Sequence, residues 1–353
     1  MGKLAVYKYI SLLFLVATTV LSIFTFVGLN GGNSNPVYST FSAMLVYVLP
    51  LLIIANVVVL LIWIIRRRWH WALIPFITIL CCIPYINTIY KFGSEPKETN
   101  SKGGLKIATY NVALFQRETT GFIAQDILSH MKKQKVDILC MQEYSDKSGD
   151  QVNSENYKDY FTYMARGAQD MIIFSRYPII KSEKQQFEQT NNSSMWADID
   201  VNGTVIRVFN VHLETTGINS TLHRAGKAIA AGKHVTDNQI LNAVYGNYEV
   251  GMIARAGQAN MIAMERMKTD HPCIICGDFN DVPYSYVYNT MLGDLVDGFK
   301  ECGHSGLMNT FRGGKKLVRI DYIFHDKAFK GVNYYKYELS YSDHYPVFLK
   351  LEL

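Results

Sequence analysis

The sequence predicts a mixed α/β sandwich of about 250 residues preceded by three transmembrane helices. Three observations carry this reading. The first 90 residues are filled by long apolar runs broken only at short polar loops. Beyond them, short apolar and aromatic runs interleave with helical stretches, as in a domain that packs helices on sheets. Among those runs, MWADIDV-NG-TVIRVFNVHL reads as a hairpin turning on Asn202-Gly203, the strongest short-range signal for two paired strands.

The membrane segments come first. Residues 9–29, 41–65 and 72–90 carry no Asp, Glu, Lys or Arg, and each approaches the ~20 apolar residues that a helix needs to cross a bilayer. The predicted spans are 9–29, 41–65 and 69–90. Pro50, Pro75 and Pro84 are compatible with them, because neighbouring helices satisfy the backbone groups a proline frees. The first run is longer than a signal-peptide core of about 7–15 residues and is followed by more spans, so a cleaved leader is rejected. Lys3 and Lys8 precede the first span, the 30–40 loop has no basic residue, and Arg66, Arg67 and Arg68 separate the second span from the third. Cytoplasmic loops carry the basic excess. The expected topology therefore has the N-terminus inside and everything after about residue 90 outside, although Lys91, Lys97 and Lys102 follow the third span. The expected location is a bacterial plasma membrane, with the soluble domain on its extracytoplasmic side.

The formal charge of +5 comes from the anchor. Five of the 35 basic residues and none of the 30 acidic ones lie in 1–90, so the remainder is net neutral. That gives no general electrostatic footprint for nucleic acid, although a local basic patch stays open. Cys140, Cys273, Cys276 and Cys302 lie in the soluble part. As a strand, CIIC splays Cys273 and Cys276 onto opposite faces, which disfavours a metal or disulfide role.

Residues 91–104, KFGSEPKETNSKGG, read as a linker between the anchor (1–90) and the soluble domain (105–353). Strands are expected at 105–113, 136–142, 170–175, 195–201, 204–213, 272–279, 319–324 and 346–353, and helices at 122–134, 256–269 and 285–292. Residues 215–250 have weak periodicity and read as a long insertion near the active end, with His223, Arg224, Lys227, Lys233 and His234 as candidate specificity residues.

The chemistry is suggested by where strands stop. LKIATYN ends on Asn111, VDILCMQE on Glu143, and VIRVFNVHLE on Asn210, His212 and Glu214. CIICGDFN ends on Asp278 and Asn280, two residues apart and so expected on one face; VRIDYIF supplies Asp321, and SYSDHYP supplies Asp343 and His344. Taken singly, most are turn residues or a hydrogen-bonded core histidine. Together, with no competing cluster, they describe one site. Its oxygen-rich inventory suits Mg²⁺, with Glu143 as the best direct ligand and Asn111 and Asp343 beside it; zinc would call for more His and Cys. Asp278, held by Asn280, is placed to deprotonate water, and His212 and His344 to donate to phosphoryl oxygens. Asp321 is the natural partner fixing His344.

In this order, ATYNV, MQE, NVHLE, GDFND, RIDYIF and SDHYPV resemble the endonuclease/exonuclease/phosphatase superfamily over roughly 105–353. The resemblance implies a four-layer αββα sandwich with the site at one edge of the paired sheets, and a Mg²⁺-dependent phosphoester hydrolase in which Mn²⁺ is a possible substitute. It puts Asn111 and Glu143 on the metal side with Asp343 close by. His212 becomes a transition-state stabiliser, Asp278 and Asn280 position water, and Asp321 and His344 form the Asp–His pair. Softer matches offer Arg176 in FSRYP and Arg255 near Gln258 as contacts to the substrate phosphate, with Asn210 a further candidate. Thr310 in NTF is expected to brace the site. HLE is similar to the sphingomyelinase and tyrosyl-DNA-phosphodiesterase style and departs from the abasic-endonuclease branch.

The leading reading is a membrane-anchored phosphodiesterase or phosphatase acting on a lipid head group or a small phosphate. A nuclease or tyrosyl-DNA-phosphodiesterase-like enzyme is the alternative, and a catalytically silent membrane-bound binding module a second. Retention of every acid, amide and imidazole the mechanism needs speaks against the silent module.

Overall fold

The computed structural model of the 353-residue chain describes residues 3–93, 104–116, 124–144, 160–168, 171–188, 190–215, 225–231, 236–313, 318–339 and 341–353. Two compact units result: Met1–Ile89 with Tyr284–Asn289, and Tyr90–Pro283 with Thr290–Leu353.

The first unit contains helices α1 (Lys3–Gly31), α2 (Thr40–Ile65), α3 (Trp69–Cys81) and α4 (Ile83–Ile89). Val6–Gly31 and Thr40–Ile65 are each long and apolar enough to cross a membrane. The third expected span differs from the expectation of one helix over 69–90. It is the pair α3 and α4, bent by 43° at Cys82, and it reaches spanning length only as a pair. Pro84 accounts for the break, since it has no N–H for the carbonyl four residues back and its ring crowds that carbonyl. In lipid, apolar surface gives helices little reason to associate, so polar ties matter. The Trp63 indole donates to Thr18 Oγ1 at 3.0 Å and the Asn56 amide to Thr25 Oγ1 at 2.9 Å, joining α2 to α1.

The second unit is built on two six-stranded sheets. Its strands are β1 (Tyr90–Lys91), β2 (Leu105–Asn111), β3 (Ile138–Gln142), β4 (Tyr163–Arg166), β5 (Ile172–Ser175), β6 (Ile179–Gln186), β7 (Ser193–Val201), β8 (Thr204–His212), β9 (Cys273–Asp278), β10 (Val296–Asp297), β11 (Gly306–Leu307), β12 (Asp321–His325), β13 (Lys330–Lys336) and β14 (Val347–Glu352). One sheet runs β13-β14-β2-β3-β5-β4 and the other β10-β12-β9-β8-β7-β6, while β1 and β11 form a small separate pair. Two parallel pairs, β2–β3 and β8–β9, need long crossovers. These contain α5 (Ala124–Lys133) and α6 (Asp237–Arg266) respectively.

Alternation along each strand sorts residues into layers. Leu105 and Ile107 of β2 join Cys140, Ile173, Ala197, Val208, Ile274, Cys276, Ile323 and Leu349 in a buried core between the sheets. Ala108 and Tyr110, the alternate residues of β2, pack instead with Ile127, Leu128 and Met131 of α5. On α6, Met252, Ala256, Ala259 and Ile262 are buried. The order is helix, sheet, sheet, helix, as expected. Cys273 and Cys276 are both free, as are the other four cysteines.

Several elements differ from expectation. The expected helix at 256–269 begins at Asp237, so the insertion 215–250 contains regular structure, and residues 225–230 form a further short helix. A capping box starts α6: Thr236 accepts from the Gln239 N–H while the Gln239 side chain accepts from the Thr236 N–H. Strands β1, β4, β6, β10, β11 and β13 were not expected. IIKSEKQQ of β6 is an almost wholly exposed edge strand, whose charges hide the alternation that marks a strand while guarding an open edge. Of the linker, 94–103 lie outside the described residues, as do His223, Arg224, Lys233 and His234.

Candidate active site

The registers bring the predicted strand ends to one edge. His212 pairs with Asp278 across the parallel β8–β9 pair, and Asp278 pairs with Asp321 across the antiparallel β9–β12 pair. In the facing sheet, Asn111 pairs with Gln142, and Glu143 follows immediately. Thr109 pairs with Val347, so Asp343 and His344 enter β14 at the same edge. Two sheets thus deliver their acids, amides and imidazoles into one place.

Asp278 is its centre. Its Oδ1 accepts the Asn280 N–H at 2.8 Å, and its Oδ2 accepts Asn111 Nδ2 at 3.1 Å. Two imidazole nitrogens face the same Oδ2, His344 Nε2 at 3.6 Å and His212 Nε2 at 3.9 Å. Asp321 holds the other side of His344, with Nδ1 3.0 Å from Oδ2 and 3.1 Å from Oδ1. Thr310 Oγ1 in turn accepts the N–H groups of Ile320 and Asp321, both at 3.0 Å, which fixes the backbone at Asp321.

Burial and charge set the protonation states. Removal from water pushes the Asp278 carboxyl up to about 6, with His344 opposing and Asp321 adding to the rise. Burial alone would discharge His344, but the carboxylates of Asp321 and Asp278 outweigh it and raise the imidazole to about 10. At neutral pH the pair is therefore a carboxylate beside an imidazolium. His212 is buried as well; among the described residues its Nε2 makes no hydrogen bond and lies 3.7 Å from Glu143 Oε1.

Strain gathers at this edge. Glu143, Asn280, Ala113 and Leu114 all have φ between 45° and 53°, a region costly for residues with a Cβ. The turn at Asn280 also changes an expectation. Its side chain does not share a face with Asp278; it donates to Leu213 O at 2.9 Å, and only its backbone N–H holds the carboxylate.

Other predicted residues fall out differently. Asn111 Oδ1 accepts the Ala113 N–H at 3.0 Å, which fixes the amide so that its nitrogen faces both Asp278 and Glu143 Oε1, the latter at 3.0 Å. In that orientation the amide ties the two carboxylates together. Glu143 itself is about one-third exposed, and His212 Nε2 lies 3.7 Å from its Oε1. Asp343 is half-buried beside His344.

Three candidate phosphate contacts do not reach the site's surface. Asn210 is fully buried and joins the sheets, donating to Met141 O and Ile172 O and accepting from Gln142 Nε2. Arg176 follows β5 at Ser175, which pairs with Ile138, the opposite end of β3 from Glu143, and it binds Asp137 at 2.6 Å. Arg255 has no exposed surface; it contacts Asp281 Oδ2 at 3.2 Å and donates to Glu214 O at 3.1 Å. Gln258, one turn on, accepts the Glu214 N–H at 2.8 Å. Arg255 and Gln258 therefore clamp the loop after His212.

Sequence reasoning passed over Ser342 and Gln142. Ser342 Oγ donates to Asn111 O at 2.8 Å and accepts the His344 N–H at 3.1 Å, tying β2 to the approach to β14. Its place directly before Asp343 and His344 was the available signal. Gln142, directly before Glu143, reaches Asn210 at 2.6 Å and Thr109 Oγ1 at 3.0 Å.

Two sheets sharing one acid-and-imidazole edge define a phosphoesterase-type sandwich. The sequence profile of the Endonuclease/Exonuclease/phosphatase family matches residues 108–344, and the chain belongs to that family. A second profile, of a domain of unknown function (DUF8431), matches residues 11–89. No curated protein is significantly similar in sequence. Solved structures share the fold. An endonuclease/exonuclease/phosphatase from Bacteroides vulgatus has a TM-score of 0.53 at 16% identity, over 71% of this chain and 100% of that one. The TDP2 of D. rerio, complexed with a single-strand DNA product, has a TM-score of 0.52 at 15% identity, over 71% and 100%. A family protein from Bacteroides thetaiotaomicron has a TM-score of 0.50 at 16% identity, over 70% and 95%.

Proposed function

We propose that the chain is a membrane-anchored, Mg²⁺-dependent phosphoester hydrolase. Residues 1–90 form its anchor and 105–353 its catalytic domain, with the N-terminus inside and the domain outside the membrane. The observation that carries the reading is that two buried imidazoles face one carboxylate: His344 Nε2 lies 3.6 Å and His212 Nε2 3.9 Å from Asp278 Oδ2, with Glu143 Oε1 3.7 Å from the His212 nitrogen. Two imidazoles and a carboxylate around one space suit a phosphoryl group, whose oxygens take the donors while water takes the base.

Asp278 deprotonates the attacking water, its Oδ1 fixed by the Asn280 N–H and its Oδ2 by Asn111. A carboxyl raised to about 6 is a stronger base than an ordinary aspartate yet ionised at pH 7. His344, held charged by Asp321, and His212 donate to phosphoryl oxygens as negative charge builds there.

The donor set fits a hard cation. Glu143 offers a partly exposed carboxylate and Asp343 a half-buried one. Asp278, Asp321 and His344 also lie close enough to share an ion, but Asp321 is engaged by His344 Nδ1 and Asp278 by Asn111 and the Asn280 N–H. Glu143 and Asp343 are the carboxylates that would hold Mg²⁺ or, in its place, Mn²⁺. When bound, the cation offsets charge on the phosphoryl oxygens.

The zero net charge outside the anchor favours a lipid head group or a small extracytoplasmic phosphoester over nucleic acid. The test is steady-state hydrolysis of an aryl phosphodiester and of sugar phosphates by the full chain and its His212→Ala variant. The variant is expected to lose about 10²–10³-fold in kcat. Equal kcat would remove His212 from the chemistry.

A further inference from the structure

Helix α6 turns one face toward the domain, yet the domain buries that face only over its C-terminal half. At about 100° per residue, its buried residues Gly251, Met252, Arg255, Ala256, Gln258, Ala259 and Ile262 occupy one arc. Continued toward the N-terminus, the same arc contains Ile240, Leu241, Val244, Tyr245 and Tyr248. The residues from 240 to 248 that fall outside it are Asn242, Ala243, Gly246 and Asn247. The sequence thus keeps a core-facing stripe in phase for two more turns, where it is no longer buried. Leu241 is 63% exposed and Tyr245 52%, while Ile240, Val244 and Tyr248 are half-buried. Ile229, on the short helix before it, is exposed too.

We infer that this N-terminal half of α6 lies on the lipid bilayer surface, and the inference rests on the membrane anchoring proposed above. A second copy of the chain is the poorer occupant. The stripe from 240 to 248 is about 13 Å long and one helix wide, roughly 10 Å. That is far below the ~800 Å² per partner of a standard interface. A bilayer needs no matching shape, and tethering by membrane-crossing helices keeps it at high effective concentration. Leucine with tyrosine is also the residue mixture that helices present to the headgroup boundary, where an apolar ring and a polar hydroxyl are both satisfied. Lys227, on the preceding helix, adds a cation of the sign that anionic lipid attracts.

The test uses the full chain in proteoliposomes containing doxyl-labelled lipids, with Cys81→Ser to remove the one exposed native thiol. Single cysteines carrying a fluorophore replace Leu241, Tyr245, Leu51 in α2, and Lys184 on the exposed edge strand β6. Leu51 reports the anchor and Lys184 the aqueous baseline. The expected result is several-fold stronger quenching at Leu241 and Tyr245 than at Lys184, with strong quenching at Leu51. Baseline quenching at Leu241 and Tyr245 while Leu51 is quenched would overturn the surface contact and leave the anchor standing. Disulfide-linked dimers through Leu241→Cys at that baseline would assign the stripe to a second copy. Baseline quenching at Leu51 would overturn the anchoring itself, and this inference with it.

Discussion

His344 Nδ1 lies 3.0 Å from Asp321 Oδ2, and the same ring presents Nε2 to Asp278 Oδ2 at 3.6 Å. One imidazole is thus buried between two carboxylates, and its charge is their joint product. Asp321→Asn removes the partner that contributes most to holding the proton. The imidazole should then titrate well below about 10, and kcat should fall by about 10²–10⁴-fold. NMR titration of His344 with steady-state kinetics on the same variant checks both, and an unmoved titration would detach Asp321 from the role.

The wild-type pH profile follows from the same pair. Below about 6, Asp278 is protonated and cannot take a proton from water; above about 10, His344 has lost the proton it donates. The rate should rise through the first value, hold a plateau between them and fall through the second. A profile that falls with rising pH across 5–7 would reverse the assignment of the base.

Arg255 and Arg176 separate a brace from a bystander. Arg255→Ala leaves Asp281 buried without its cation, a change that costs about 3–5 kcal/mol, and it frees the loop after His212. Arg176→Ala breaks a pair whose arginine is half-exposed, at the far end of the sheet, and should change stability by no more than about 1 kcal/mol. Thermal unfolding of both variants, with kcat measured alongside, is the check. A larger loss of activity in Arg176→Ala would restore it as a phosphate contact.

Gly277 stands in the strand that ends on Asp278, with φ at +140°, and an added Cβ would lie 1.9 Å from Val211 O. Gly277→Ala combines backbone strain with a clash against the neighbouring strand, and should destabilise by about 2–5 kcal/mol. A thermal midpoint within a degree or two of wild type would show that β8 and β9 can move apart.

Much of the site was legible because its residues interrupt apolar runs. A strand that ends on Asp278, or on His212, places polar atoms where burial would otherwise be free of cost, so the break in pattern is itself the signal. Direction was harder to read. Asn280 looked like a second group on the face of Asp278, but its positive φ turns the side chain toward Leu213, and no periodicity encodes that turn. The arginines' partners were hidden for a related reason. Charge suggested phosphate, whereas Arg255 is consumed by a carboxylate and a carbonyl contributed by two other segments. Weak alternation hid β6, and scattered polar residues hid the first half of α6, whose stripe is clear only once its phase is set by Met252 and Ala256.

The most direct measurement is hydrolysis of an aryl phosphodiester by the purified full chain, with Mg²⁺ and with chelator, beside Asp278→Asn. Turnover that needs Mg²⁺ and falls at least about 10²-fold in the variant is the predicted result. Turnover indifferent to chelation, or undiminished in Asp278→Asn, would contradict an Asp278-activated water in a Mg²⁺-dependent site.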